Sequence, residues 1–279
     1  MNKHELLLHK PFTDPEKIEY WDSLYEQKDF YGESFRQRMD TALTWLKEFN
    51  VSEHSNILDA GCGAGRLVNE VARMKFNAIG MDYSFGMLIK AESIRYQGDK
   101  GYSAFCQGNI ESLPYKNSSL DAIISLGVIS YLKSETKALR EFARALKPGG
   151  ILIFSFFNKA RMVSHLDLPQ MLKSIFKKVK MTVFIGSKDG SENNDQPRLT
   201  TYLIPKMKKA LDSQDFIVLG YTTIPAELFT LFGREVFPRE MTVKISRFFE
   251  QFSNVPLIDS FGAMCVIKAM KKPSAMSRN

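Results

Sequence analysis

The chain has 279 residues, 44% of them hydrophobic and 25% charged, which suits a globular protein that buries a full core without disulfide or metal staples. Its formal net charge of +7 fits an anionic partner, but the cations are scattered, the densest group being Lys173, Lys177, Lys178 and Lys180, and a solvated basic surface accounts for them. The three cysteines, Cys62, Cys106 and Cys265, are too widely spaced for a CxxC redox centre or a zinc ribbon, and they fit a reducing cytosol.

Near the start, Leu6, Leu7 and Leu8 form an apolar run too short for a signal-peptide core. Residues 15–50 carry helical spacing, through Tyr20, Trp21, Leu24 and Tyr25 and then Phe35, Met39, Leu43 and Leu46, with Gly32 expected to separate two helices. From residue 56 the pattern changes. A strand over 57–60 runs into a glycine cluster, and a helix follows over 64–74 with Leu67, Val68 and Val71 on its apolar face. A second strand is expected over 76–81, and Ser84 is placed to cap a helix through Met87, Leu88 and Ala91. Strands over 103–107 and 121–126 come next. Ser134 is expected to cap a helix that ends at Lys147, Pro148, Gly149 and Gly150, ahead of a fifth strand at 151–157. That apolar stretch is far shorter than a membrane span.

Strands alternating with helices at short intervals predict a doubly wound, mainly parallel sheet, and their continuous apolar runs suit burial on both faces. After Asn158 the alternation stops. Residues 159–200 read as a lid or substrate cap inserted after strand five. A helix over 204–211 and strands over 216–220 and 263–268 follow, separated by a segment with Phe229, Phe232, Phe237, Phe248, Phe249 and Phe252. The expected division is an N-terminal helical segment at 1–50, a core at 51–158, the cap at 159–200, the rest of the sheet at 201–270 and a disordered polar tail at 271–279.

The run Asp59-Ala60-Gly61-Cys62-Gly63-Ala64-Gly65 lies between a strand and a helix. Glycines there let a ligand approach the backbone, and the following helix offers free N–H groups at its positive end. A dinucleotide fingerprint needs a glycine where this chain has Arg66, which weakens an NAD reading. The run instead resembles motif I of the class I S-adenosylmethionine-dependent methyltransferases. The resemblance covers residues 55–157 and extends more loosely to 270. Leu113-Pro114, Leu120-Asp121-Ala122-Ile123 and the 144–150 run Arg-Ala-Leu-Lys-Pro-Gly-Gly are similar to the family's later motifs.

The resemblance implies a Rossmann-like fold: a seven-stranded sheet with an antiparallel last strand, helices at the N-terminus and the cap. It implies S-adenosylmethionine as cofactor and S-adenosylhomocysteine as product. It places Gly61, Cys62, Gly63 and Gly65 beside the cofactor, Asp59 at the head of the motif, and Asp82 on the ribose hydroxyls, for which two carboxylate oxygens are suited. Tyr83 would contact the adenosine, and Asn109 and Ile110 the adenine, although Asn109 departs from the family's Asp. Ser125, Leu126 and Gly127, at the end of strand four, would face the methionine part. Tyr20, Tyr25 and Arg38 precede motif I, where relatives close over the cofactor, and Arg38 would pair with the methionine carboxylate. Cys62 reads as a small loop filler, since no base neighbours it.

The cofactor's sulfonium makes the methyl group electrophilic, so the protein's part is alignment and exclusion of water. A hydroxyl acceptor would call for a base, and His165 is the first candidate, with Tyr131 second. No Asn/Asp-Pro-Pro-Tyr/Phe motif, magnesium carboxylate set or radical cysteine triad is visible. The expected function is methylation of a small apolar or aromatic acceptor by a cytoplasmic monomer or homodimer without a stable nucleic-acid partner, a membrane span or a metal. The alternatives are an RNA or protein methyltransferase using the basic surface, a non-catalytic cofactor-binding protein and, ranked lower, aminopropyl transfer.

Overall fold

Ile57 and Leu58 are neighbours in β1 (Asn56–Ala60), yet each is buried in a different hydrophobic cluster, because successive strand side chains point to opposite faces. The same split separates Ile123 from Ile124 in β4 (Leu120–Ser125) and Leu152 from Ile153 in β5 (Leu146–Asn158). Both faces of the sheet are therefore covered. The computed structural model describes residues 15–28, 30–49, 51–99, 101–159, 199–225, 230–231, 234–235, 241, 244 and 262–273.

One face is covered by α2 (Phe30–Glu48), α3 (Arg66–Arg73) and α4 (Phe85–Ser93), behind α1 (Pro15–Ser23). The other is covered by α5 (Thr136–Ala145) and α6 (Ile204–Asp212). Each of these helices is amphipathic at the helical period: α3 buries Leu67, Val68, Val71 and Ala72, and α5 buries Ala138, Leu139, Phe142 and Ala145. The remaining strands of the large sheet are β2 (Asn77–Asp82), β3 (Tyr102–Gln107), β6 (Thr201–Tyr202), β7 (Phe216–Pro225) and β10 (Gly262–Lys271), while β8 (Thr230–Leu231) pairs with β9 (Arg234–Glu235). The sheet order is β3-β2-β1-β4-β5-β10-β7, with the short β6 beside the end of β5. Pairings through β5 are parallel, and β10 is antiparallel to both β5 and β7. This is the Rossmann-like arrangement, with the short β6 as an eighth strand beside the expected seven. β1 sits where the strand order reverses, with parallel neighbours on both sides, and such a switch point opens a crevice at the strands' carboxyl ends.

Several local expectations shift. Gly32 does not separate helices; it lies in the first turn of α2, and the break falls at residues 24–28. A Cβ at Gly32 would come within 2.0 Å of the Gln27 carbonyl oxygen, so the glycine marks close packing rather than a turn. The α5 N-cap is Glu135 rather than Ser134, whose hydroxyl accepts from the Thr136 N–H at 3.3 Å. The α3 helix starts at Arg66, later than expected, because Gly63 and Gly65 keep the chain in the left-handed region. The stop signal holds: α5 ends at Ala145, and Lys147 to Gly150 form an irregular entry to β5, anchored by Lys147 Nζ on Asp121 at 2.7 Å. At the far end β10 runs through Lys271, and the Lys272 N–H donates to the Asp215 carbonyl, so these first residues of the expected tail are ordered against the sheet. The greater part of the proposed cap, the phenylalanine-rich segment and the end of the tail lie outside the described residues.

Candidate functional site

The loop after β1 is fixed from beneath. The Gly61 and Cys62 N–H groups both donate to the Met81 carbonyl, at 2.7 and 3.1 Å, which tucks the chain over the end of β2. Gly61, Gly63 and Gly65 have φ of 87°, 51° and 77°. The last two matter for different reasons. A Cβ at Gly65 would lie 2.7 Å from the Phe105 ring and 2.8 Å from Ala91, so only glycine lets α3 start this close to the sheet. A Cβ at Gly63 would meet nothing within 4 Å, because that residue faces an open cavity.

That cavity has a volume of about 440 Å³, within the range of small-molecule sites. It crosses the carboxyl ends of the strands in sheet order. Asp82, Tyr83 and Asn109 line the β2–β3 end, Leu126 and Gly127 follow beyond β4, and Phe157 and Met264 close the β5–β10 end. Neighbouring strands are about 4.8 Å apart, so the span from β2 to β4 is about 10 Å. Every expected cofactor residue described so far, together with Asp59, Arg38, Tyr20, Tyr25 and Ile110, lines this cavity, except Ser125 and Gly65, the latter acting from behind by packing. Tyr131 lines it too. His165 lies outside the described residues.

Asp82 ends β2 with both oxygens engaged: Oδ2 accepts from the Gly63 N–H and Oδ1 from the Ser84 N–H, each at 2.8 Å. These bonds aim the carboxylate, and each oxygen keeps a lone pair for the cavity. Burial raises its pKa, with the backbone bonds from Ser84, Gly63 and Tyr83 opposing. Ser84 caps α4 as expected, accepting from the Met87 N–H at 3.2 Å. Burial, and then the charge of Asp82, pushes Asp59 to about 8, so this carboxyl is mostly neutral at pH 7. Asn109 is exposed, and its Oδ1 accepts from the Glu111 N–H at 2.9 Å, closing a turn; the second lone pair of that oxygen remains available. Burial raises the Cys62 thiol well above its ordinary value, which leaves an inert filler packed toward Gly80.

The opposite end is cationic. Arg38 is 3% exposed, and its Nε is buried with no hydrogen-bond partner. The guanidinium sits 4.0 Å above the Phe35 ring, and its Nη1 is 2.7 Å from where a Cβ of Gly127 would lie. No carboxylate among the described residues forms an ion pair with it. Burial lowers its pKa, with Tyr25 and Tyr131 opposing. A buried cation without a counter-charge is costly unless a ligand supplies one. Burial pushes the Tyr131 phenol to about 12, Arg38 opposing and Tyr20 adding, so at neutral pH it donates a proton bond and does not act as a base in this state.

The ends of β4 and β5 are pinned around this wall. The Ser125 hydroxyl donates to the Ala60 carbonyl, the Gly127 N–H donates to Ser155 Oγ, and the Phe157 N–H donates to Ser130 Oγ, at 2.8, 2.8 and 2.9 Å. Ser125, expected to face the methionine part, is instead fully buried and turned to Ala60. Sequence reading missed Ser130 and Ser155, whose hydroxyls carry no pattern, and missed Phe35, although its three-residue offset from Arg38 puts the two on one helix face. It also missed Arg66, which forms ion pairs with Asp22 and Glu26. Among the described residues no cluster of three His, Cys, Asp or Glu is placed to hold a metal, and no helix is long and apolar enough to cross a membrane.

The donor set fits S-adenosylmethionine. A buried guanidinium whose Nε has no partner and which no described carboxylate pairs with matches a carboxylate, an anchored carboxylate matches a diol, and Gly63 leaves the space a side chain would fill. Residues 58–154 match the family model described as a methyltransferase domain. An uncharacterised protein of Methanocaldococcus jannaschii is 32% identical over 163 residues, covering 58% of this chain and 59% of its own. A ubiquinone biosynthesis O-methyltransferase of Azorhizobium caulinodans is 31% identical over 104 residues, covering 37% and 40%. The chain thus spans about half the length of these curated relatives. The magnesium protoporphyrin IX methyltransferase of Synechocystis PCC 6803, solved with S-adenosylhomocysteine, shares the fold at a TM-score of 0.63 and 17% identity, over 97% of this chain and 100% of that one.

Proposed function

We propose that this chain is a class I S-adenosylmethionine-dependent methyltransferase that transfers a methyl group to a small apolar or aromatic acceptor by in-line displacement, a reading supported by the match of residues 58–154 to the methyltransferase-domain model. The observation that carries the reading is Arg38: a buried cation without an ion-pair partner among the described residues, at the β4 end of a cavity whose β2 end holds an anchored carboxylate. When bound, the cofactor supplies a methyl group already made electrophilic by its sulfonium. Arg38 takes the methionine carboxylate through its fork of N–H donors. Asp82 accepts from the two ribose hydroxyls, Asn109 accepts from the adenine amine, and Ile110 and Tyr83 flank the ring. Asp59 ionises as positive charge enters. The chain's contribution to rate is then alignment and exclusion of water.

The acceptor occupies the β5–β10 end. Leu132, Phe157, Leu199 and Met264 contribute apolar and aromatic surface there. The name of the Azorhizobium relative, a ubiquinone biosynthesis O-methyltransferase, points to an aromatic acceptor of its own, which supports the same class here. In this proposal residues 159–200 cap the acceptor, His165 is the base for a hydroxyl acceptor, and Tyr131 is a hydrogen-bond donor in the cavity wall. Cytoplasmic residence is part of the proposal, supported by three cysteines that are all free thiols. The test is transfer of labelled methyl from S-adenosylmethionine across a panel of phenols, quinols, porphyrins and polar metabolites. Labelling of the apolar members supports the acceptor class, and labelling confined to polar metabolites sinks it.

A further inference from the structure

Arg66 stands where a dinucleotide fingerprint would have its last glycine, and nothing in the cofactor reading employs its side chain. It is also poorly chosen for α3, since it is the first residue of that helix, where the macrodipole disfavours a cation. Its partners lie 44 and 40 positions back. Nε is 2.6 Å from Asp22 Oδ1 and Nη2 is 2.8 Å from Glu26 Oε1. The other Asp22 oxygen is 3.4 Å from Lys90 Nζ, which also reaches Glu19 at 3.2 Å. Two cations from α3 and α4 thus grip one face of α1 and the turn after it. Asp22, at the centre of the grip, is 8% exposed. Ile18 adds an apolar foot: a Cβ at Gly86 would lie 2.4 Å from its Cδ1.

The gripped segment carries part of the cavity wall. Tyr20, Trp21 and Tyr25 all line the cavity, and Trp21 and Tyr25 pack on Phe35 at ring distances of 6.3 and 5.4 Å. The Phe35 ring is the floor beneath the Arg38 guanidinium. A continuous set of contacts therefore links Arg66 to the end of the cavity that faces a carboxylate.

We propose that Arg66 is a positioning residue: with Lys90 it forms an ionic latch on Asp22 that clamps the aromatic N-terminal segment over the cofactor and, through Trp21, Tyr25 and Phe35, holds Arg38 on the cofactor's carboxylate. This inference rests on the reading of the cavity as an S-adenosylmethionine site. Cofactor entry and release then require the latch to open, and because the Arg66 side chain is 27% exposed, dissolved salt competes with it.

The chain has two tryptophans, so a Trp45→Phe background leaves Trp21, inside the clamped segment, as the lone fluorescent reporter. Release of S-adenosylhomocysteine is followed by stopped-flow fluorescence in this background with Arg66→Gln, Asp22→Asn, both together, and Arg66→Lys. The dissociation rate is expected to rise about tenfold in each single variant and no further in the double, as for two residues acting through one contact. Arg66→Lys recovers part of the loss. Added salt speeds release from the parent and leaves the double variant unchanged. If Arg66→Gln does not fold, Lys90→Gln opens the same latch from the surface with the same expected direction. Normal binding with unchanged dissociation rates, or additive effects in the double variant, would overturn the latch. Failure of the parent to bind S-adenosylhomocysteine at all would overturn the cofactor reading, and the latch with it.

Discussion

Replacing Arg38 with methionine should move ligand binding and protein stability in opposite directions. In the ligand-free protein the guanidinium is 3% exposed, its Nε has no partner, and no described carboxylate pairs with it. A methionine of similar volume removes that desolvated charge and packs on Phe35, a change that is neutral or stabilising by about 1–4 kcal/mol. At the same time it leaves the cofactor's carboxylate facing the Gly127 wall without a counter-ion. Removing one partner of such a buried pair costs about 3 kcal/mol or more, roughly 150-fold in affinity. The assay is calorimetric titration with S-adenosylhomocysteine, paired with thermal denaturation of the ligand-free protein. Methylthioadenosine, which lacks the amino-acid carboxylate, is the internal control and should bind the variant and the parent alike. A loss of less than about fivefold for S-adenosylhomocysteine, or an equal loss for methylthioadenosine, would refute the assignment, because two charge-assisted bonds cannot be worth so little at a buried site.

Gly65→Ala should destabilise the fold by about 3 kcal/mol, summing a strained φ of 77° and a Cβ driven into Phe105 and Ala91, which a denaturant melt would register. Gly63→Ala should cost only about 1–2 kcal/mol of stability, having free space for its methyl, yet should weaken S-adenosylhomocysteine binding more than stability, because that space is the cavity. Asp59, at about 8, lies above its unfolded value of about 3.9, so the folded protein holds the extra proton between these limits. Its contribution to stability therefore falls as pH rises from about 4 to 8. Entry of a cationic cofactor favours the ionised form, so S-adenosylmethionine should bind with release of close to one proton at pH 7, more tightly as pH rises toward 8. Calorimetry in buffers of different ionisation enthalpy measures that proton, and its persistence in Asp59→Asn would assign it elsewhere.

How much of this was legible in the sequence depends on the kind of signal each feature leaves. The alternating strands and helices of 56–158 are written as apolar runs and amphipathic spacing, and the sheet follows them closely. The glycine loop and Asp82 are written as residues whose chemistry is local: a left-handed backbone, or a carboxylate at a strand end. Arg38 was readable as a candidate, but the lack of a described carboxylate paired with it required the fold. Other features depend on partners distant in the chain. The Arg66 to Asp22 pair spans 44 positions, and the serines pinning β4 to β5 act across 28 or so. Gly32 misled because a glycine required for close packing against the Gln27 carbonyl looks the same in sequence as one that breaks a helix. Tyr131 looks like any phenol until burial, with Tyr20 adding and Arg38 opposing, holds its proton in place.

The central claim is that the cavity above β1 holds S-adenosylmethionine, with Asp82 on its ribose. Its most direct test is calorimetric titration of the purified protein with S-adenosylmethionine and with NAD, repeated on Asp82→Ala. The account predicts saturable one-to-one binding of S-adenosylmethionine, loss of that binding in Asp82→Ala while the variant remains folded at the assay temperature, and no heat with NAD. Binding of NAD in place of S-adenosylmethionine, or undiminished S-adenosylmethionine binding in Asp82→Ala, would contradict it.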